Sequence, residues 1–325
     1  MPVSELLRIF SDKLSIKLDA EAILLSGDCT IVNFLFKPGE SDPFAVAKIS
    51  AIPNYNHSLE LEHRNMVTVS TVFTDAAASF VPMSLGEGEW NNHYYYIQEY
   101  IKGSMLNSIT ELDHLWWKDS YKLSQINKMC EMLLEIQVKT HTRTTEISKL
   151  HFHEDLADYR QVFKCDKSEE SIILQLEANL IKCQDTIIPL VACHGDFYAG
   201  NLLLTRNGFR VLDWGYYLAE YHPFFDITTM CFSFLGKFED NSWKPLWEKT
   251  TVSSELLATV DLMLEKVSRR WMIKKKVVRL LVLMSCVSLA MRGFRNSGSI
   301  RTRDEGWRKM LLWLGAGNFF NQSNI

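Results

Sequence analysis

From Ile101 onward the prevailing period of the apolar residues changes along this chain of 325 residues, and that change limits the folds open to it. Before Ile101 they come in short β-branched runs broken by turn residues. After it they recur at helical spacing. Behind a short amphipathic helix at the N-terminus, residues 22–25, 30–37 and 44–49 read as strands. The turn signals Ser26-Gly27-Asp28 and Pro38-Gly39 separate them, which predicts an antiparallel meander. Residues 59–73 predict a helix with Leu61, Met66, Val69 and Val72 at apolar positions. Residues 81–85 and 94–100 predict two further strands, with 86–92 as their connecting turn. Helical spacing returns over 126–141 and 169–183, short strand pieces follow at 192–193, 202–204 and 210–212, and the remainder from Phe224 reads as mostly helical. Strands first and helices later predict an α+β protein of two lobes, residues 1–101 and 102–325, joined by a short hinge. No repeat, low-complexity tract or long linker interrupts them.

Composition excludes some functions. A net charge of -4 is not the basic balance of a protein that grips nucleic acid by its phosphates. Cys29, Cys130, Cys165, Cys183, Cys193, Cys231 and Cys286 are scattered, odd in number and never spaced as CxxC. They read as reduced thiols of a cytoplasmic protein, not as a disulfide framework or a zinc site. The most apolar stretch, 280–291, is far shorter than the ~20 residues a membrane span requires, so a core helix is expected there.

The sharpest chemical signal is His194-Gly195-Asp196, then Asn201, then Asp213 within Val211-Leu212-Asp213-Trp214-Gly215. Phosphoryl transfer asks a protein for a carboxylate at the attacking hydroxyl and for oxygen ligands that hold magnesium against the phosphates. An H-x-D-x-x-x-x-N loop supplies both: the Asp faces the substrate, and the Asn offers the metal a neutral oxygen. Asp213, at the end of the next hairpin, supplies a charged one. Upstream, Ala45-Val46-Ala47-Lys48-Ile49 sets one lysine in an apolar strand, where a cation needs an anionic partner. Glu62 and Glu60 are both candidates, with Glu62 favoured because Met66 and Val69 follow it at core spacing.

CHGDFYAGNLLL and VLDWG together resemble the catalytic loop and metal-binding strand end of the aminoglycoside phosphotransferase and choline kinase family, which shares the bilobal fold of protein kinases. The resemblance implies a small N-terminal nucleotide-binding lobe with an antiparallel sheet, and a larger helical lobe for catalysis and substrate. It implies Asp196 as catalytic base, Asn201 and Asp213 as magnesium ligands, and His194 as a support of the loop. Lys48 would touch the α- and β-phosphates of ATP, with Glu62 as its partner. Gly27 and Thr30 would lie in the phosphate-covering turn, although the full glycine pattern is absent there. In Tyr96-Ile97-Gln98-Glu99-Tyr100-Ile101-Lys102-Gly103, backbone groups of Glu99 and Ile101 would meet the adenine edge. Asp226, in Pro223-Phe224-Phe225-Asp226-Ile227, would cap a helix or brace the catalytic loop.

These residues imply an ATP- and magnesium-dependent kinase acting on a hydroxyl of a small molecule: an amino sugar, an amino alcohol or a sugar-like metabolite. A kinase-fold pseudoenzyme or nucleotide-binding regulator is the alternative. A protein kinase is disfavoured by Trp214-Gly215 after the acid and by the lack of Ala-Pro-Glu. His151-Phe152-His153-Glu154-Asp155 has metal-like composition but reads as solvated surface. Lys274, Lys275 and Lys276, and the series Arg292, Arg295, Arg301 and Arg303, read as solvated basic faces.

Overall fold

The β-branched and aromatic runs of the first hundred residues form five antiparallel strands: β1 (Ala20–Ser26), β2 (Thr30–Phe36), β3 (Ala45–Ser50), β4 (Ser84–Trp90) and β5 (His93–Glu99), in the order β1-β2-β3-β5-β4. The structure is a computed structural model and describes all residues except 1–2, 19, 27–28, 73–79, 107–119, 234–235, 240–241, 246–253, 301, 318 and 321–325. It divides into two compact units, Met1–Leu112 with Gly200–Tyr217, and Asp113–Ala199 with Leu218–Ile325.

In the first unit, strand parity separates a core face from a chemical face. Ala45, Ala47 and Ile49 of β3 join Leu35 of β2 and Tyr95 and Ile97 of β5 in one buried cluster. That cluster closes on Leu6 and Phe10, one turn apart on α1 (Val3–Leu14). Val46 and Lys48 therefore face the other side of the sheet. There α2 (Asn56–Val72) packs against β3 and β5. A smaller sheet of β6 (Ser104–Met105), β9 (Leu202–Thr205) and β10 (Gly208–Val211) completes the unit, in the order β10-β9-β6. Gly103 permits the approach of β6 to β9, because a Cβ there would lie 2.8 Å from the Leu204 carbonyl oxygen.

One expectation is corrected here. Residues 86–92 are not a connecting turn: β4 continues to Trp90, and only Asn91 and Asn92 turn. Both have positive φ, 48° and 65°, the two-residue geometry whose twist suits a tight hairpin. The glycines that suggest a loop serve the strand. Gly88 lies opposite Tyr95, whose ring fills the space a side chain would take.

The second unit is mostly helical: α3 (Ser120–Thr140), α4 (Phe152–Phe163), α5 (Lys167–Cys183), α6 (Phe224–Ser233), α7 (Ser254–Trp271), α8 (Lys275–Ser297) and α9 (Thr302–Gly315). Within it, β8 (Ile187–Cys193) is flanked by β7 (Arg143–Glu146) and β11 (Leu218–Tyr221). All of β8 after Ile187 is buried, which reads as a continuous apolar run. The apolar stretch 280–291 lies in α8 at the centre of this core, with Leu281, Val282, Met284, Val287 and Met291 fully buried. No described helix is long and apolar enough to cross a membrane. A hairpin of β12 (Gly236–Glu239) and β13 (Ser242–Pro245) interrupts the tail that was expected to be mostly helical.

Candidate active site

On the chemical face of the first sheet, Lys48 and Tyr96 are direct cross-strand partners, so both side chains rise on the same side. Glu62, on the buried stripe of α2 with Leu59, Met66 and Val69, meets them. Lys48 Nζ donates to Glu62 Oε1, and the Tyr96 hydroxyl donates to the same oxygen at 2.6 Å. Glu60 instead pairs with Arg64 at 2.7 Å on the exposed side of the helix. Burial pulls the Lys48 pKa down. The charges of Glu62, Tyr96 and Asp213 outweigh it and hold the ammonium well above the usual lysine value. Burial pushes the Glu62 carboxyl up, and Asp213 adds to this against the pull of Lys48. The two shifts favour opposite states for the pair. Two donors on one oxygen decide for the carboxylate, so the pair is ionic at neutral pH.

Asp213 reaches this cluster from the smaller sheet. β9 and β10 pair with Leu202 opposite Val211, and the Leu212 N–H donates to the Asn201 carbonyl at 2.8 Å. Asn201 and Asp213 therefore lie at the same open end of one hairpin. Asp213 has φ 62°, a left-handed backbone that costs an aspartate of order 1 kcal/mol or more. The turn is held on either side: Trp214 Nε1 donates to the Val211 carbonyl at 3.1 Å, and Asn65 Nδ2 to the Trp214 carbonyl at 3.0 Å. The Asp213 side chain is exposed and makes no hydrogen bond or ion pair among the described residues. The strained turn is thus held by its neighbours and not by the Asp213 carboxylate.

The remaining candidates of this unit are less committed. Thr30 opens β2 and is hydrogen-bonded through its side chain to Tyr55, while Gly27 lies outside the described residues. Glu99 ends β5 with its N–H donated to the Met83 carbonyl at 2.9 Å, and Ile101 follows outside the strand.

The chain passes between units at Ala199 and Gly200, so Asp196 belongs to the second. There the loop 194–196 follows buried β8, with Gly195 at φ 81°, a conformation open to glycine at little cost. Asp226, in the first turn of α6, grips the loop by its backbone. It accepts from the His194 N–H at 2.6 Å and the Gly195 N–H at 2.9 Å. Burial pushes its carboxyl up, against the pull of His194, the two N–H donors and Arg292. The Asp196 N–H donates to His194 Nδ1 at 3.1 Å, which fixes the imidazole as an acceptor at that nitrogen. His194 thus supports the loop from within. From α8, Arg292 donates to the Gly195 carbonyl and to Asp196 Oδ1, the latter at 3.3 Å.

Residues 25–248, about two-thirds of the chain, match the sequence pattern of the phosphotransferase enzyme family. The chain belongs to that family. No curated protein matches this phosphotransferase in sequence. Among solved structures, a thermostable mutant of aminoglycoside phosphotransferase APH(4)-Ia in ternary complex with ADP and hygromycin B is similar, with TM-score 0.59 and 13% identity over 96% of this chain and 98% of that one. Choline kinase LicA from Streptococcus pneumoniae gives TM-score 0.57 and 12% identity over 96% of this chain and 99% of that one. A putative fructosamine-3-kinase from Haemophilus somnus 129PT gives 0.54 and 11%, over 95% and 96%. At these identities the structures speak for the fold, which is the protein-kinase-like α+β fold of the aminoglycoside phosphotransferases and choline kinases.

Reading the sequence of this phosphotransferase missed two of these contacts, one in each unit. Tyr96 sits in a run of three tyrosines where only strand parity relative to Lys48 singles it out. Arg292 reads as one cation among several on a C-terminal helix, yet its side chain is only 12% exposed and lies against Asp196.

Proposed function

We propose that this phosphotransferase transfers the γ-phosphate of ATP to a hydroxyl of a small molecule, with magnesium. The observation that carries the reading is the cluster on the first unit's chemical face, an ionic Lys48–Glu62 pair with a strained, uncommitted Asp213 beside it. Two carboxylates facing one ammonium leave an excess negative charge, which a divalent cation would neutralise. Asp213 offers a hard anionic oxygen and Asn201 a neutral one, the donor types magnesium takes. Held there, magnesium would supply positive charge to offset that of the phosphates during transfer.

The other roles belong to the chain's own groups. Lys48, fixed by Glu62, presents its ammonium to the α- and β-phosphates, and the Tyr96 hydroxyl holds Glu62 in place. The turn with Gly27 and Thr30 offers backbone and hydroxyl donors to the phosphates. Because the Glu99 N–H is already spent on Met83, the Glu99 carbonyl and the backbone of Ile101 are the groups left for the adenine edge. Asp196 orients the acceptor hydroxyl and takes its proton. This divides the chain by role near residue 101, into a nucleotide-binding part and a catalytic and substrate part. The acceptor belongs to the amino sugars, amino alcohols or sugar-like alcohols. The hygromycin B and choline of the similar proteins fall in the first two classes.

ATP consumption measured with magnesium against a panel of amino sugars, amino alcohols and sugars tests this. Turnover that depends on both magnesium and one class of alcohol is expected. A protein that binds no nucleotide in magnesium, by calorimetry, would overturn the reading.

A further inference from the structure

The candidate base is not held by its own loop alone. Asp196 is buried, with 7% of its side chain exposed, and an ionised carboxylate in such a place needs a countercharge. Contacts of its loop place the charged or titratable groups His194, Asp226 and Arg292 about it. His194, on its own loop, accepts the Asp196 N–H through Nδ1. Asp226, from α6, grips the backbone of 194 and 195, and burial pushes its carboxyl up against the pull of His194 and Arg292. Arg292, from α8, is bonded to the Asp196 carboxylate. One guanidinium nitrogen donates to Asp196 Oδ1, and the other to the carbonyl of the preceding residue, Gly195. A planar fork joined to a side chain and to the adjacent backbone fixes the carboxylate relative to its own main chain, which a single ammonium cannot do. The guanidinium in turn lies over the Phe225 ring, 5.7 Å from its centre.

The neighbouring arginine of the same helix makes the contrast. Arg295, three residues on, is paired with Asp155 at 2.7 Å and Asp158 at 3.3 Å, and Ser288 completes Asp155 at 2.7 Å. Arg295 is thus committed to the packing of α4 on α8. Arg292 is committed to the loop.

We propose that Arg292 is the positioning residue of the catalytic loop, holding Asp196 ionised and in a single orientation while the acceptor hydroxyl is engaged. Phosphoryl transfer asks its base mainly for placement, with little proton removal before the bond to phosphorus forms, so a base kept anionic by an arginine suits the reaction. The inference rests on Asp196 being the base, as proposed above.

The test follows magnesium-dependent ATP turnover against pH, with water or the alcohol found in the panel as acceptor, in the wild type and in Arg292→Gln, Arg292→Lys, Arg295→Gln and Asp196→Asn. Thermal unfolding checks that each is folded. Arg292→Gln is expected to move the acid limb to higher pH and to lower kcat about tenfold near neutral pH, with KM for ATP within about twofold. Arg292→Lys keeps the charge, so its acid limb stays in place while the lost fork lowers kcat about threefold. Arg295→Gln keeps both the limb and kcat. An unmoved acid limb in Arg292→Gln, or an equal movement in Arg295→Gln, overturns the assignment. If Arg292→Gln does not fold, a wild-type kcat in Arg292→Lys overturns it. Turnover by Asp196→Asn at the wild-type rate means instead that the base is wrongly placed, whatever Arg292 does. An inactive Asp196→Asn beside a normal Arg292→Gln means that only the positioning role has failed.

Discussion

Single residues carry both the chemistry and its cost. Lys48 and Glu62 hold each other in the low-dielectric space between β3 and α2, and Tyr96 completes the pair. Removing one partner leaves the other buried and uncompensated, so Lys48→Met is expected to lose about 3–5 kcal/mol of stability by denaturant unfolding. Adding Glu62→Leu in the same chain is expected to restore much of that stability without restoring ATP turnover. That split would separate the pair's structural cost from the role toward phosphate proposed for it. His222 makes a different demand. Its ring is fully buried among Phe152, Tyr221 and Phe225, with no partner for either nitrogen among the described residues, and burial pushes its pKa down to about 3. The folded protein keeps this histidine neutral while the unfolded chain protonates it near the ordinary value of ~6.5. Protons therefore favour the unfolded state between those two values, and stability falls as pH drops through that window by about 1.4 kcal/mol per unit. His222→Phe should flatten this slope in unfolding measurements from about pH 6 to 4. A slope equal to the wild type's would assign the acid sensitivity elsewhere.

At the scale of elements, what the sequence announced depended on whether the local pattern was also the deciding one. β2, β3, α2 and β5 were legible because apolar spacing and turn residues agreed. β4 was misplaced, because its glycines answer to a tyrosine on the neighbouring strand, which a one-dimensional reading does not contain. α4 was passed over as the solvated His151-Phe152-His153-Glu154-Asp155. Its buried face of Phe152, Leu156, Tyr159 and Phe163 has helical spacing, but charges lie between those positions. β7 is the polar run Arg-Thr-Thr-Glu, a strand only because β8 lies beside it. The segment from His194 to Asp213 stood out in the sequence by its own spacing. The contact of Arg292 with Asp196 was not, since 96 positions separate them and only the packing of α8 brings them together. The docking of α1 is a testable consequence of strand parity. Phe10 is fully buried in the cluster on the core face of the first sheet, edge-on to Tyr95 with ring centres 5.3 Å apart. Phe10→Ala should cost about 3–5 kcal/mol in equilibrium unfolding, whereas Arg8→Ala, outside that cluster, should cost under about 0.5 kcal/mol.

For the whole molecule, membership of the phosphotransferase enzyme family and the protein-kinase-like fold set the class of chemistry, and the residues set who performs it. The first unit holds an ionic lysine with a strained, uncommitted aspartate. The second holds an aspartate on a loop braced by Asp226, His194 and Arg292. Neither set is explained by packing, since each spends buried charge or backbone strain where an apolar residue would serve stability better. The central claim is that Asp196 acts in transfer of the γ-phosphate to an alcohol. The most direct measurement is detection of the phosphate ester by mass spectrometry from magnesium, ATP and the preferred alcohol, beside ATP affinity by calorimetry, in the wild type and Asp196→Ala. The account predicts ester from the wild type, a loss of at least about a thousandfold in Asp196→Ala, and ATP affinity within a few-fold in both. Ester formed by Asp196→Ala at the wild-type rate would contradict it.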